Sequence, residues 1–255
     1  MKIKPISNIT GLSIVPLFLS IVFGWGCQNE RPVMETHVPK KEQPQDTQAL
    51  IKTMASSLNV KAFTEEEKVT RLLQEMAKNH QAQLKGLEHR LKTKSSTLRK
   101  LKKVHNDAPQ MPLDQIKLSD ALRYTFEVTD KPEGHYVKTI QDVLKGLETQ
   151  GYKVIKVKNY WPKGDNYSGV NTVLSSASGL EWELQFHTPA SYQESKVSHA
   201  KYEKLRSNDT PLVSRQKIFG EMAQAWETIV IPKDVLEAGN LHQVEEIKKW
   251  EAPAQ

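Results

Sequence analysis

Hydrophobic and polar residues alternate most regularly in residues 121–128 and 180–187, and both patterns predict β-strands. Successive side chains of a strand point to opposite faces, so each stretch has one face for the core and one polar face. The second stretch would place four polar side chains on one surface, namely Glu181, Glu183, Gln185 and His187. Residues 152–157 and 170–174 predict two more strands, and the turn at 175–179 predicts a hairpin between the last two.

Apolar residues at steps of three and four predict helices around these strands. The first helix is expected to begin at Thr64, because Thr64-Glu65-Glu66-Glu67 has the capping-box pattern, and its apolar stripe extends to Leu91. Further helices are predicted over four ranges: 95–104, 133–150, 191–206 and 211–226. This order predicts an α/β (α+β) fold in which a mixed sheet is flanked by helices.

The first 26 residues have the pattern of an export signal. Lys2 and Lys4 precede a mostly apolar run over 12–23 that contains Pro16. A membrane-spanning helix would need about 20 uninterrupted apolar residues, so this run is typical of the apolar core of a signal peptide. We therefore expect residues 1–26 to be a lipoprotein signal peptide.

Cys27 is the only cysteine, which excludes an intramolecular disulfide, and it directly follows Gly26. It resembles the lipidated first residue of a bacterial lipoprotein, and Gln28 behind it favours the outer membrane in that resemblance. Gly24-Trp25 departs from the usual lipobox, so an ordinary signal peptide and an uncleaved anchor stay as alternatives. The prediction is a protein of the cell envelope, anchored in the membrane through Cys27 or exported further.

Composition divides the rest of the chain into three parts. Residues 27–62 are polar and contain several prolines, which predicts a disordered tether. Residues 63–232 carry the periodic patterns of one folded domain, and residues 233–255 are predicted to form a peripheral appendage. The net charge of +6 suits a phosphate-rich ligand, and it suits a solvated lysine-rich surface equally well.

Three segments resemble, in order, the donor and metal motifs of the RelA/SpoT synthetase family. Arg90-Leu91-Lys92-Thr93, with Ser96 and Lys100-Leu101, is similar to the family's R-x-K-S-x-x-S-x-x-x-K-L segment. Asp120-Ala121-Leu122-Arg123 resembles the strand entry that bears the magnesium-binding aspartate, and Glu183-Leu184-Gln185-Phe186-His187 resembles the E-x-Q-I-R strand of the catalytic glutamate. Taken singly, each segment is also typical of a solvated surface.

Two more segments resemble the acceptor side of that family. Asn159-Tyr160-Trp161-Pro162-Lys163, followed by Tyr167, is similar to the D-Y-I-x-x-P-K-x-x-G-Y loop, and His199 with Tyr202 matches H-W-x-Y. The resemblance covers residues 69–206 and implies a RelA/SpoT synthetase-like fold related to nucleotidyltransferases. It implies transfer of pyrophosphate from ATP to a nucleotide or RNA hydroxyl, with no role for DNA.

The same resemblance implies a role for each site residue. Four residues would hold the ATP phosphates: Arg90, Lys92, Ser96 and Lys100. Asp120 and Glu183 would bind Mg²⁺ and act in catalysis, Glu183 by orienting or deprotonating the acceptor hydroxyl. Five residues would bind the acceptor: Lys163, Tyr167, Asn171, Gln185 and His187.

Three departures from the family pattern bear on this function. Asp120 lies three residues before Arg123, where the family has five, and Asn171 and His187 replace a histidine and an arginine. A different acceptor, such as an adenine nucleotide or an RNA end, is compatible with these changes. Because the envelope holds little ATP, an active enzyme would be expected to act as an effector or toxin in another cell. A catalytically inactive binding module and a structural envelope protein are the alternatives.

Overall fold

Five strands form one mixed sheet at the centre of the fold. The computed structural model describes residues 44–161, 167–205, 207, 209–237 and 241. The strands are β1 (Gln83–Lys85), β2 (Arg123–Glu127), β3 (Lys153–Asn159), β4 (Val170–Ser175) and β5 (Glu181–His187). They lie in the order β1-β2-β5-β4-β3, with β2 and β5 parallel and the other neighbours antiparallel. The predicted mixed sheet is confirmed.

Helices flank this sheet, as predicted. They are α1 (Pro44–Asn79), α2 (Lys94–Asp107), α3 (His135–Thr149), α4 (Pro189–Leu205) and α5 (Leu212–Glu227). Apolar residues of α1 and α3, such as Leu73 and Ile140, pack with Trp182 and Phe186 of β5 in one core. This core covers one face of the sheet and leaves the other face to polar side chains.

The predicted alternation along β5 is confirmed. Trp182, Leu184 and Phe186 are fully buried, while Glu183 and Gln185 on the opposite face are half-buried. The predicted hairpin between β4 and β5 is also present, and its turn contains Gly179 at a φ of +75°. Only glycine adopts that left-handed conformation without strain.

The first helix begins 20 residues earlier than Thr64. Instead of capping a helix, the Thr64 hydroxyl donates to Val60 O within α1 at 3.0 Å. Residues 44–62 are helical, and Ile51 and Ala55 are buried against Leu101 of α2. The prediction of a tether up to residue 62 is therefore wrong for residues 44–62. The segment is mostly polar, and its buried apolar residues form only a narrow stripe along one side of the helix, so its composition did not predict a helix. Residues 27–43 lie outside the described part of the chain.

The same helix also ends earlier than predicted. It stops at Asn79, and the chain turns at Gln81, which has a φ of +52°. Leu84 is in β1, opposite Phe126, and Leu91 forms an isolated bridge with Leu122. These leucines were predicted to continue the helical stripe. Both leucines pack against the core from extended segments instead of from a helix. A spacing of three or four residues does not distinguish these two arrangements.

The predicted boundary of a peripheral appendage at residue 233 is wrong as well. Val235 is 0% exposed and Leu241 is 3% exposed, and both belong to the main core. The Asn159 side chain donates to Val235 O at 2.7 Å, which fixes this segment to the end of β3. Across the described residues, no helix is long and apolar enough to cross a membrane. The predicted export signal and Cys27 lie outside those residues.

Candidate functional site

The polar face of the sheet carries a cleft of about 330 Å³. Residues from α2, the entry to β2 and strands β3, β4 and β5 line it: Lys100, Ser119, Asp120, Lys156, Lys158, Tyr160, Asn171, Val173 and Glu183. Four of these, Lys100, Asp120, Asn171 and Glu183, were predicted from the sequence to be site residues. The cleft therefore brings together one predicted donor residue, both predicted metal ligands and one predicted acceptor residue.

Asp120 lies just before β2 and is held by two lysines. Lys100 Nζ donates to its Oδ2 at 2.6 Å, and Lys92 Nζ donates to the same oxygen at 2.8 Å. Burial alone would raise the pKa of Asp120, but the hydrogen bonds from Lys100 and Lys92 outweigh it and lower that pKa. The other oxygen, Oδ1, is buried and has no hydrogen-bond partner among the described residues. Asp120 is thus a charged carboxylate whose Oδ1 could accept a hydrogen bond or bind a cation.

Glu183 lies on β5, across the cleft from α2. Asn171 Nδ2 donates to its Oε1 at 3.3 Å, and Gln185 Nε2 donates to the same oxygen at 3.2 Å. Burial raises the pKa of Glu183, and the nearby Asp120 adds to that effect, while Arg123 on β2 opposes it. A carboxylate with a raised pKa at the wall of a cleft is suited to accept a proton.

The N-terminus of α2 lies beside Asp120, because Lys92 N donates to Ala121 O at 3.0 Å. Thr93 caps the helix, because its side chain accepts from Ser96 N at 3.3 Å and also donates to the Ser96 hydroxyl at 3.0 Å. The free amide groups of a helix N-terminus favour anions. Ser96, Lys92 and Lys100 are therefore near one another in a place where phosphate groups would be stabilised.

Arg90 is not among the residues that line the cleft. Its guanidinium forms an ion pair with Glu66 of α1, and its Nη1 donates to Leu87 O at 2.6 Å. The hydrogen bond from Arg90 is the main cause of the lowered pKa of Glu66. The structure thus gives Arg90 partners on the α1 side, and its predicted contact with ATP stays a prediction.

Tyr167 and His187, two residues that the sequence predicts to bind the acceptor, contact each other. The Tyr167 hydroxyl lies 3.0 Å from His187 Nε2 and donates to Asn171 Oδ1 at 2.8 Å. The sequence predicted His187 on the same face as Glu183, and its contacts through Tyr167 and Asn171 place it there. Its burial to 1% exposure was not predicted, because it comes from α4, which packs against the end of β5, where Ser191 contacts His187 Nδ1 at 2.9 Å. Burial lowers the pKa of His187 to about 4.

Gly169 permits the close approach of these two side chains. A Cβ atom at Gly169 would lie 3.0 Å from His187 Cε1 and 3.2 Å from the Tyr167 hydroxyl. The ring of Tyr167 also contacts Tyr160 and Trp226, with centroids 5.3 and 5.7 Å away. Lys163, the remaining predicted acceptor residue, lies outside the described residues.

Two lysines of β3 are members of the site that the sequence analysis missed. Lys156 pairs with Val173, which pairs with Glu183 in turn, and Lys158 pairs with Asn171. Both are exposed on the polar face and line the cleft. Extending the alternation of β5 across the hairpin to β3 would have found them. Arg123, the parallel neighbour of Glu183 on β2, adds a further cation to this face.

Among known proteins, similarity was found only to solved structures. No protein-family model and no curated protein sequence matches the chain. The type VI effector Tas1, solved with its immunity protein, is 21% identical with a TM-score of 0.45, over 72% of this chain and 96% of its own. A GTP pyrophosphokinase family protein from Streptococcus pneumoniae is 16% identical with a TM-score of 0.44, over 67% and 85%. Small alarmone synthetase 2 from Bacillus subtilis is 18% identical with a TM-score of 0.46, over 68% and 89%.

Proposed function

We propose that this chain transfers pyrophosphate from ATP to a hydroxyl group of a nucleotide or RNA acceptor. The observation that carries the proposal is the cleft in which Asp120 and Glu183 lie among Lys100, Lys156 and Lys158. Phosphoryl chemistry needs this combination, because cations neutralise the phosphates while carboxylates bind metal and receive the proton. The motifs that resemble the RelA/SpoT synthetase family support the same reaction.

The residues present fit a magnesium ion. Mg²⁺ is commonly bound by one or two carboxylates together with substrate phosphates, rather than by an all-protein cage. The described residues contain no cluster of three or more metal-ligating side chains. Asp120 Oδ1, buried without a hydrogen-bond partner among those residues, is the oxygen best placed to serve as a ligand. Asp120 and Glu183 would hold the ion, which would neutralise charge on the transferred phosphates.

The contacts of Lys92 and Lys100 suggest how the donor would bind. In the protein alone, both lysines share Asp120 Oδ2. ATP phosphates would compete with Asp120 for these ammonium groups, and each lysine that turns to phosphate would release the carboxylate for the metal. Donor binding and metal binding would therefore support each other.

In the transfer step, Glu183 would act on the acceptor hydroxyl. The acceptor oxygen would attack the β-phosphorus of ATP, the bond between that phosphorus and the oxygen bridging to the α-phosphate would break, and AMP would leave. Glu183 would receive the proton of the hydroxyl, which its raised pKa favours. Lys156 and Lys158 would contact phosphate groups of the acceptor from β3.

The site of action is part of the proposal. A lipid anchor at Cys27 would hold the protein in the cell envelope, where ATP is scarce. We therefore propose that the active protein acts after delivery into another cell, as an effector or toxin.

A ligand-binding envelope protein without transfer activity is the second candidate. It is favoured by one observation, that the predicted donor cations already have protein partners. Arg90 pairs with Glu66, and Lys92 and Lys100 pair with Asp120. In this case the cleft would bind a phosphate-bearing ligand and release it unchanged.

An acceptor screen separates the two candidates. The full-length protein would be incubated with γ-labelled ATP, Mg²⁺ and a panel of GDP, GTP, ADP, AMP and bulk tRNA, followed by chromatography. Glu183→Gln, which keeps the shape of the side chain, is the test variant, and Glu181→Gln two residues away on β5 is the control. Label transferred by the wild type and the control but not by Glu183→Gln supports the enzyme. Binding of ATP without transfer to any acceptor supports the second candidate.

A further inference from the structure

A continuous series of hydrogen bonds connects α4 to the carboxylate of Glu183. It runs from Ser191 through His187, Tyr167 and Asn171 to Glu183 Oε1, with lengths of 2.9, 3.0, 2.8 and 3.3 Å in that order. We call the last four residues, from His187 to Glu183, the Glu183 network. Two of them, Asn171 and His187, are the residues that depart from the family pattern.

The direction of each hydrogen bond follows from the number of protons available. Asn171 Nδ2 donates to the carboxylate, so its Oδ1 is the atom that faces Tyr167 and accepts. The Tyr167 hydroxyl has one proton and gives it to Asn171, so it must accept from His187 Nε2–H. A neutral His187 then has a bare Nδ1, which accepts from the Ser191 hydroxyl at 2.9 Å, a shorter contact than the 3.3 Å from the same hydroxyl to Thr188 O. Every donor in the series points toward Glu183.

The burial of His187 agrees with this assignment. The ring is 1% exposed, and burial lowers its pKa to about 4, so it is neutral at pH 7. A neutral ring has one N–H, and the series assigns it to Nε2. An arginine, which the family has at this position, would bring a permanent charge into the same buried place.

A second series reaches the same oxygen of Glu183. Thr125 donates to Gln185 Oε1 at 3.4 Å, and Gln185 Nε2 donates to Glu183 Oε1. Two amides thus fix Oε1, and the structure records no hydrogen bond to Oε2 within the described residues. The carboxylate is held in one orientation, with Oε2 left for the metal or the acceptor hydroxyl.

We propose that His187, Tyr167 and Asn171 are positioning residues that orient Glu183, and that Tyr167 acts through its hydroxyl group rather than as a stacking surface. The inference rests on the proposed function for its effect on catalysis, while the hydrogen bonds themselves do not depend on it. It also gives the two departures from the family pattern a common cause. Asn171 and His187 are the two partners of one tyrosine hydroxyl.

The first test is kinetic and uses Tyr167→Phe, which removes only the hydroxyl. The matched control is Tyr152→Phe, since the Tyr152 hydroxyl is buried without a partner among the described residues and lies on the opposite face of the sheet. We expect Tyr167→Phe to lower kcat by roughly tenfold or more without changing the acceptor KM, and the control to change neither. If Tyr167 stacks on the acceptor base, Tyr167→Phe keeps kcat, and that result overturns the proposal.

The second test does not require activity. In full-length protein with ¹⁵N-labelled histidine and asparagine, NMR at pH 7 would report the His187 tautomer and the Asn171 side-chain amide. The expected result is a proton on Nε2, together with an Asn171 amide signal that shifts in Tyr167→Phe but stays in place in Tyr152→Phe. A proton on Nδ1, a charged ring or an unmoved Asn171 signal overturns the network. Failure of the proposed function would instead show as an intact network in a wild-type protein that transfers nothing.

Discussion

Lys100 Nζ lies 2.6 Å from Asp120 Oδ2, so a cation predicted to hold the donor phosphates is the counter-ion of a carboxylate predicted to hold magnesium. Lys92 shares the same oxygen at 2.8 Å. The predicted donor and metal sites therefore share a contact in the protein alone. Neutralising the carboxylate should affect ATP binding differently with and without magnesium.

The first prediction concerns Asp120→Asn. Without magnesium, this variant should bind ATP roughly tenfold more tightly than the wild type, because the two lysines no longer have a competing carboxylate. With magnesium, its transfer activity should be lost. Calorimetric titration of ATP in the presence of a chelator measures the first effect. Asp142→Asn, which breaks a surface pair with Lys138 on α3, is the control and should change neither property. If Asp120→Asn binds ATP more weakly than the wild type in the presence of the chelator, the proposed coupling between donor and metal binding is contradicted.

The second prediction concerns the stability of Glu183→Gln. Burial raises the pKa of Glu183 above its ordinary value near 4.5, so its favourable contribution is present below that pH and is lost as the pH rises through the raised value. At pH 7 the ionised carboxylate therefore destabilises the fold. Glu183→Gln should melt roughly 2–4 °C higher than the wild type at pH 7. This gain should disappear at pH 4. If Glu183→Gln melts at a lower temperature than the wild type at pH 7, the raised pKa of Glu183 is contradicted.

The third prediction concerns the acid sensitivity caused by His187. Its pKa is lowered from 6.5 to about 4, so its contribution to stability is complete above pH 6.5 and is lost as the pH falls toward 4. Between pH 7.5 and pH 5, the wild type should lose about 2 kcal/mol more unfolding free energy than His187→Gln. Urea unfolding at the two pH values measures this difference. The control is His89→Gln, because His89 is exposed. This variant should lose as much unfolding free energy between the two pH values as the wild type.

The fourth prediction tests the long first helix. Ile51 is 1% exposed in a core with Leu101, and its neighbour Leu50 is 45% exposed. Ile51→Ala should lower the unfolding free energy by about 2–5 kcal/mol, and Leu50→Ala by less than about 1 kcal/mol. Equal effects in urea unfolding would mean that residues 44–62 are not part of the folded core.

Strands β2 to β5 could be predicted because their buried faces repeat with a period of two, whereas the short β1 lies within the range predicted for the first helix. The alternation over residues 180–187 placed Glu183 and Gln185 on one surface, and the structure has them there. The limits of α1 could not be predicted in the same way. A capping-box pattern at Thr64 is a local signal, while the burial of Ile51 depends on Leu101 of α2, a helix that begins only at Lys94.

The candidate site was predicted in part for a similar reason. Asp120 and Glu183 were found from motifs, and both line the cleft. Lys156 and Lys158 were missed because alternating lysines on a strand are typical of a solvated face. The burial of His187 depends on the packing of α4 against β5, which no pattern within β5 reveals.

Quantitative analysis of the products from ATP tests the central claim most directly. Full-length protein, ATP, Mg²⁺ and the acceptor selected in the screen would be analysed by ³¹P NMR and mass spectrometry. Pyrophosphate transfer predicts AMP and acceptor bearing one additional pyrophosphate in equal amounts, with neither product formed by Glu183→Gln. Formation of ADP or free phosphate alone, or intact ATP after incubation with well-folded protein and every acceptor, would contradict the proposed activity.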